Sequence, residues 1–403
     1  MNAVSRRAST LPISAVRKLV PYAQKAKARG VRILHLNIGD TDIKTPPVML
    51  ARLKTFAENP IGYAASTGVP AFIEALLVYY HRLGYTFLKS ENIIATVGGS
   101  EAISMAFFAT CEIGDEVLVF EPFYSNYQAL ALLNGVHLVG VPTYISNGFH
   151  LPDAKFIEKY LTKKTKAILI SNPCNPTGVV YTQREINELV LLAVKRNLFL
   201  ISDEVYREFI FVDRPHASLF PYMKKYPENM IVVDSLSKRY SLCGARLGVF
   251  STLNESLLTG VTKIAMSRLS GGIIDQAVGA ALTDIPEKYL NEVQEEYKKR
   301  RDVLYKGLSK IDGVTLSMPE GAFYCMVGLP VKNAEDFCVW LLESFRENNE
   351  TVMFAPGAGF YNSEGKGVNE VRIAYVLNTD KLKRALEILA HALKAYPGRR
   401  KSA

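Results

Sequence analysis

Between residues 90 and 250 the chain repeats one pattern: a short apolar run, a polar turn, then a stretch with helical spacing. The runs are Ile93–Val97, Glu116–Phe120, His137–Val141, Ala167–Ser171, Leu198–Ser202, Ile231–Asp234 and Leu247–Ser251. They are nearly continuous rather than alternating, so each is expected as a strand buried on both faces. A Gly-Gly turn follows the first, with a helix expected from Ser100. Gln183–Arg196 is a second marked helix, opening on the capping box Thr182-Gln183-Arg184-Glu185. Strands alternating with helices predict an α/β fold whose mostly parallel seven-stranded sheet is covered by helices.

Near residue 285 the pattern changes. A charged helix is expected over Glu287–Ile311, then strands at Thr315–Met318 and Phe323–Val327 and a helix over Glu335–Asn348. Strands at Val352–Ala355 and Val371–Val376 and a helix from Thr379 complete a smaller α/β unit. This divides the chain into an N-terminal arm (1–44) that packs with the smaller unit, a large domain (45–284) and a small C-terminal domain (285–403). A length of 403 residues suits one large domain with a smaller companion.

The net charge is +9, and no acid precedes Asp40, whereas Arg6, Arg7, Arg17, Lys18, Lys25, Lys27, Arg29 and Arg32 do. Arg399, Arg400 and Lys401 add charge at the other end. A targeting leader or nucleic-acid arm is one reading; a solvated amphipathic helix over Ser14–Ala28 is the preferred one, since no basic stretch is interleaved with aromatics. A basic cleft also suits small anionic ligands. No apolar run reaches 18 residues, so no membrane span is expected. The five cysteines are scattered and never spaced as CxxC, which argues against disulfides and metal. A reducing, cytoplasmic compartment is the expectation.

Four motifs fall at the ends of predicted strands, where open α/β sheets bind ligands. Ser235-Leu236-Ser237-Lys238 leads to Gly244-Ala245-Arg246-Leu247-Gly248. Alone, Lys238 reads as a surface lysine in a polar loop; with Arg246 nearby, it reads as an amine whose pKa a neighbouring cation depresses. Asn172-Pro173-Cys174-Asn175-Pro176-Thr177-Gly178 is a rigid loop whose asparagines either satisfy backbone or hold a fixed ligand oxygen. Asp203, in Ser202-Asp203-Glu204-Val205-Tyr206, is an acid at a buried strand end: a helix cap, or the partner of a protonated ring nitrogen. Gly98-Gly99-Ser100-Glu101 offers backbone N–H groups to a phosphate, and is not GxGxxG, which disfavours nicotinamide.

These motifs, in this order, strongly resemble the class I/II aminotransferases of pyridoxal-phosphate fold type I, from about Leu36 to Tyr375. The resemblance implies pyridoxal 5'-phosphate as cofactor. Lys238 would form the internal aldimine and shuttle the proton, and Asp203 would keep the pyridine nitrogen protonated. Asn175 and Tyr206 would bond the ring's phenolic oxygen, and Tyr124 would stack on the ring. Gly99, Ser100, Glu101 (through backbone), Ser235, Ser237 and Arg246 would hold the phosphate. Tyr63 resembles the tyrosine that reaches the neighbouring subunit's phosphate, implying a homodimer with shared active sites. Arg372 matches the arginine for the substrate α-carboxylate, and Gly39 the mobile substrate-covering segment. Ser100 stands where one aspartate-specific subgroup has lysine, and Met266 where another has a partner-subunit arginine. Arg268 either substitutes for that arginine or is a helix-end surface cation.

The reading is therefore an aminotransferase of amino-acid metabolism that moves an amino group between an L-amino acid and a 2-oxo acid. Another fold type I enzyme, such as a carbon–sulfur β-lyase, would keep every cofactor residue. A non-enzymatic, aminotransferase-like regulator would need a DNA-binding domain, for which the motifs leave no room before residue 35. A catalytically dead homologue would be expected to lack Lys238 or Asp203. No nucleic acid, membrane or metal partner is expected. The acid-free start weakly resembles a transit peptide, against which family-like sequence begins too early for a long removable leader.

Overall fold

A computed structural model describes residues 4–400; Lys401 of the C-terminal basic cluster lies outside the described residues. The strands are β1 (Arg32–His35), β2 (Ile93–Val97), β3 (Glu116–Glu121), β4 (His137–Pro142), β5 (Thr165–Ser171), β6 (Phe199–Asp203), β7 (Met230–Ser235), β8 (Leu247–Ser251), β9 (Thr315–Leu316), β10 (Tyr324–Gly328), β11 (Glu350–Met353), β12 (Ala355–Pro356) and β13 (Glu370–Ala374). Seven of them form the large sheet, in the order β2-β8-β7-β6-β5-β3-β4. Along β7, Met230 and Val232 face one core while Ile231 and Val233 face the other. Successive strand side chains point to opposite faces, so burial on both faces requires an unbroken apolar run. Helices Pro70–Arg82 and Gln183–Lys195 cover the first face; helix Gly98–Thr110 covers the second with Ala102, Ile103, Ala106 and Phe107. Fully buried Leu200 is representative: truncation to alanine would cost about 2–5 kcal/mol.

The sheet is parallel except at β8, which runs antiparallel to both β7 and β2. Apolar spacing carries no strand direction, so this was not readable from the pattern. The helix expected from Ser100 starts at Gly98, taking both glycines into its first turn. The helix expected over Ser14–Ala28 spans Val20–Ala28, because Pro21 lacks an N–H and is tolerated only in a helix's first turn; a short helix Arg6–Thr10 precedes it. Within Val20–Ala28, Lys25 and Lys27 are exposed, as a solvated helix requires, whereas the basic residues flanking it are docked: Lys18 pairs with Glu335, Arg32 with Glu350 (3.2 Å), and Arg29 donates to the Leu342 carbonyl (2.8 Å).

The C-terminal elements build a second core. An antiparallel sheet β12-β13-β10-β9 and a parallel pair β1-β11 pack with helices Glu287–Leu308, Ala334–Glu343 and Thr379–Ala395. These helices end three residues (Glu287–Ile311) and five residues (Glu335–Asn348) earlier than the sequence spacing suggests. Beyond β1, Leu36 bonds both Met353 and Ala374 through its backbone. That double attachment delivers Asn37, Ile38 and Gly39 over β13, next to the rim of the large sheet. No helix of the described residues is long and apolar enough to cross a membrane.

Candidate active site

Because β2 and β7 are parallel and β8 returns between them, Val97, Ser235 and Leu247 meet at one rim with the C-terminal ends of β3, β5 and β6. The loop after β7 is held tightly. Ser235 Oγ donates to the Leu247 carbonyl (2.8 Å) and lies 2.8 Å from Ser237 Oγ, and Leu236 N donates to Leu247. Beneath it, the buried Arg239 guanidinium pairs with buried Asp234 and donates to Tyr79 (2.7 Å). The Lys238 amine leaves this clamp and donates to the Gly39 carbonyl (2.8 Å) and toward Cys243 Sγ (3.5 Å).

Burial works to lower the Lys238 pKa, but Tyr324, Cys243 and Tyr124 outweigh it, and the net shift is upward. The expected depression by a neighbouring cation is thus corrected. The Arg246 side chain turns instead toward Gly98 and donates to the Cys243 carbonyl (3.0 Å), leaving phenols and a thiol as the amine's strongest neighbours.

Arg246 sits in the left-handed region (φ 53°) and Gly98 at φ 74°. A Cβ on Gly98 would lie 2.5 Å from Arg246 Nη2, so only glycine lets the guanidinium cover this helix start. Gly99 lies against Val205, Val233 and Ser235, and Ser100 is half-buried in the same first turn. Backbone donors, two serine hydroxyls and an arginine therefore converge on one small volume, which is the chemistry of a phosphate cradle. Glu101 turns its side chain away, accepting from Val97 N (2.6 Å).

Asp203 ends β6, buried. Burial pushes its carboxyl up to about 6, against hydrogen bonds from Tyr127 (2.6 Å) and the Val205 N–H (3.3 Å). No ion pair reaches it among the described residues. Tyr206, also buried, shares a hydrogen bond with Tyr324 (2.9 Å). Asn175 accepts from Arg372 Nη1 (3.0 Å). Tyr124 packs edge-on to Tyr127 (5.4 Å), and its hydroxyl is raised first by burial and then by Tyr324. A cavity lined by Tyr124, Tyr127, Ser171 and Asn175 opens among them.

Arg372, on β13, is 2% exposed. It lies between the rings of Tyr324 (4.5 Å) and Phe360 (4.9 Å) and donates to the Asn37 carbonyl (2.7 Å). Its Nε has no hydrogen-bond partner among the described residues, and burial holds its pKa below the ordinary value. No carboxylate pairs with it among the described residues. Gly39 fits only as glycine, since a Cβ there would fall 1.8 Å from the Tyr324 hydroxyl.

Two predicted residues stand apart. Tyr63 is 83% exposed on the surface. Arg268 caps helix Glu255–Ser267 and is not a free surface cation: its Nε lies 2.9 Å from Glu101 Oε1, and Nη2 donates to the Ala95 carbonyl (2.7 Å). Sequence reasoning missed Asn37, Tyr127, Cys243 and Tyr324. Polar-tipped aromatics at strand and helix starts were the available signal for Tyr127 and Tyr324.

The model of the aminotransferase class I and II family matches residues 31–389. The chain is 30% identical to a probable aspartate/prephenate aminotransferase of Thermus aquaticus, over 98% of this chain and all of that one. It is 29% identical to an aspartate aminotransferase of Pyrococcus horikoshii, over 97% of each. Its fold matches the solved alanine aminotransferase of Pyrococcus furiosus with a TM-score of 0.88 at 28% identity, covering 98% of this chain and all of that one. With fold, rim geometry and full-length likeness in agreement, the chain is a member of the class I and II aminotransferase family and an enzyme of that kind.

Proposed function

We propose that this chain binds pyridoxal 5'-phosphate at the rim and transfers an amino group between an L-amino acid and a 2-oxo acid, with Lys238 as the attachment point. Enzymes of this family use that cofactor. The observation that carries the reading is a pair of buried, oppositely charged groups without ionic partners among the described residues, Asp203 and Arg372, whose charges, like that of the Lys238 amine, reach Tyr124. A buried charge without a counter-charge is costly, so each is placed for a ligand that supplies one. A cationic ring nitrogen suits Asp203, and an α-carboxylate suits the planar Arg372 fork.

Bound there, the cofactor supplies a carbonyl that exchanges with amines and a ring that delocalises charge. Gly99, Ser100, the Glu101 backbone, Ser235, Ser237 and Arg246 would hold its phosphate. Asn175 and Tyr206 would bond its phenolic oxygen, Tyr124 would cover its face, and Asp203 would hold the proton on its ring nitrogen. Lys238 Nζ, freed during turnover, would take and return the substrate's proton. The Asn37–Gly39 segment would exclude water above it.

We further place the chain in a homodimer, since exposed Tyr63 has no role in its own subunit's site, and in the cytoplasm. The arm 1–44 with residues 285–403 would act as one unit against 45–284. The deciding experiment mixes the yellow holoenzyme with single amino acids and follows conversion of the lysine-bound absorbance to the pyridoxamine form. Release of a carbon–sulfur cleavage product without that conversion would favour the β-lyase.

A further inference from the structure

We infer that Arg268 is a positioning residue that works across the subunit interface, fastening the loop that lends Tyr63 to the neighbouring site. This rests on the proposed reading of Tyr63 and deepens it. Arg268 Nη2 donates to the carbonyls of Ser66 (3.2 Å) and Ala95 (2.7 Å), while its Nε ion-pairs with Glu101 at 2.9 Å. Ser66 returns a hydrogen bond from Oγ to the Leu269 carbonyl, and Ala95 N donates to the Thr67 carbonyl (2.8 Å). One guanidinium thus joins three elements: the loop carrying Tyr63, strand β2, and the first turn of helix Gly98–Thr110, which forms the phosphate cradle.

Tyr63 lies three residues upstream of Ser66 and is 83% exposed. Three residues span at most about 10 Å, so the reach of its hydroxyl is set by where Ser66 is held. A charged donor on a carbonyl makes a stronger anchor than a neutral one, and Glu101 keeps that donor oriented. Pinned this way, the same pair ties the cradle of one subunit to the tyrosine it offers its partner. Arg268 is a fastening, and acidic donors are not what it reads.

Measure cofactor affinity from the absorbance of the lysine-bound form. The Arg268→Ala homodimer should bind cofactor about tenfold more weakly, with Arg268→Lys intermediate. Then form hybrids with Lys238→Ala chains, so that only one site carries the lysine. Pairing an Arg268→Ala chain with a Lys238→Ala chain supplies the living site with an intact loop, and affinity should return to the wild-type value. Placing both substitutions in one chain against a wild-type partner supplies a loose loop, and the living site should stay weak. If the two hybrids bind equally, or Arg268→Ala matches wild type, the inference fails. Tyr63→Phe separates the two levels: normal binding there sinks the shared-site reading and this inference with it, whereas weak binding beside a normal Arg268→Ala sinks the inference alone.

Discussion

Tyr127 donates its phenolic hydrogen to Asp203 at 2.6 Å in a pocket where no cation pairs with the carboxylate among the described residues. The bond favours the ionised acid, yet burial outweighs it and the pKa rises to about 6. The acid is therefore strained in its charged form and gains most from a ligand that brings a proton. Its folded value lies above the ordinary 3.8, so the cost of ionisation is absent below that pH and grows as pH rises through 6. Asp203→Asn should leave the cofactor-free protein as stable as wild type near pH 4. By pH 7.5 it should be more stable, by an amount on the order of 2–3 kcal/mol. Denaturant unfolding at both values checks this; a gap independent of pH would reject the argument. With cofactor bound, the same variant should lose most of its turnover, because a neutral amide does not favour a protonated ring.

Lys238→Ala should abolish turnover without unfolding the chain. The loop is held by Ser235, Ser237 and Arg239, and the amine itself contributes only contacts to Gly39 and Cys243. Borohydride should fix cofactor covalently to wild type and leave this variant unlabelled. Mass spectrometry showing label on another lysine would overturn the assignment.

Arg372→Ala should impair every donor alike, since an α-carboxylate is common to all of them. Losing two charge-assisted hydrogen bonds should cost about 2–4 kcal/mol, or roughly thirty- to a thousand-fold in kcat/KM. Arg268→Ala should leave the ratio of acidic to neutral donors unchanged. A selective loss of aspartate or glutamate turnover in Arg268→Ala would restore its role as a reader of the distal acid.

His150 bridges Glu185 (3.0 Å) and Glu320 (3.6 Å), and Arg214 also pairs with Glu320. Hydrogen bonds to Glu185 and then Glu320 raise the imidazole to about 9 from 6.5. That stabilisation is complete below 6.5 and disappears as pH climbs through 9. His150→Gln should lower Tm at pH 6, by on the order of 1–3 °C for a partly exposed pair, and change nothing at pH 10. Scanning calorimetry at both values is the measurement, and an equal loss at pH 10 would place the effect in packing instead.

The large sheet was legible because burial on both faces leaves a plain mark, as in Ile231–Val233. Direction was not, since β8 is a short apolar run like the parallel strands of the sheet. Helix starts were blurred where glycine or proline allowed two readings, as at Gly98 and Pro21. The motif residues Lys238, Asp203, Asn175 and Arg246 were legible as short signatures around strand ends. Their partners were not, because contacts such as Asn37 with Arg372, 335 residues apart, and Tyr206 with Tyr324, 118 apart, exist only after folding. Arg268 shows the same limit: its place at a helix end suggested a surface cation, and the contact with Glu101, 167 residues earlier, exists only after folding.

The reversal of β8 brings its first residue, with Arg246 just before it, to the same rim as Val97, Asp203 and Ser235. The connections entering the parallel strands from the opposite side are tied by backbone hydrogen bonds, from Glu116 N to Lys164, His137 N to Asp115 and Leu200 N to Asn229. The molecule thus has a working end and a handle. Tags, labels, surface tethers or new chain termini placed in the 162–164 turn would face away from arriving substrate, and would leave cofactor and donor access as they are.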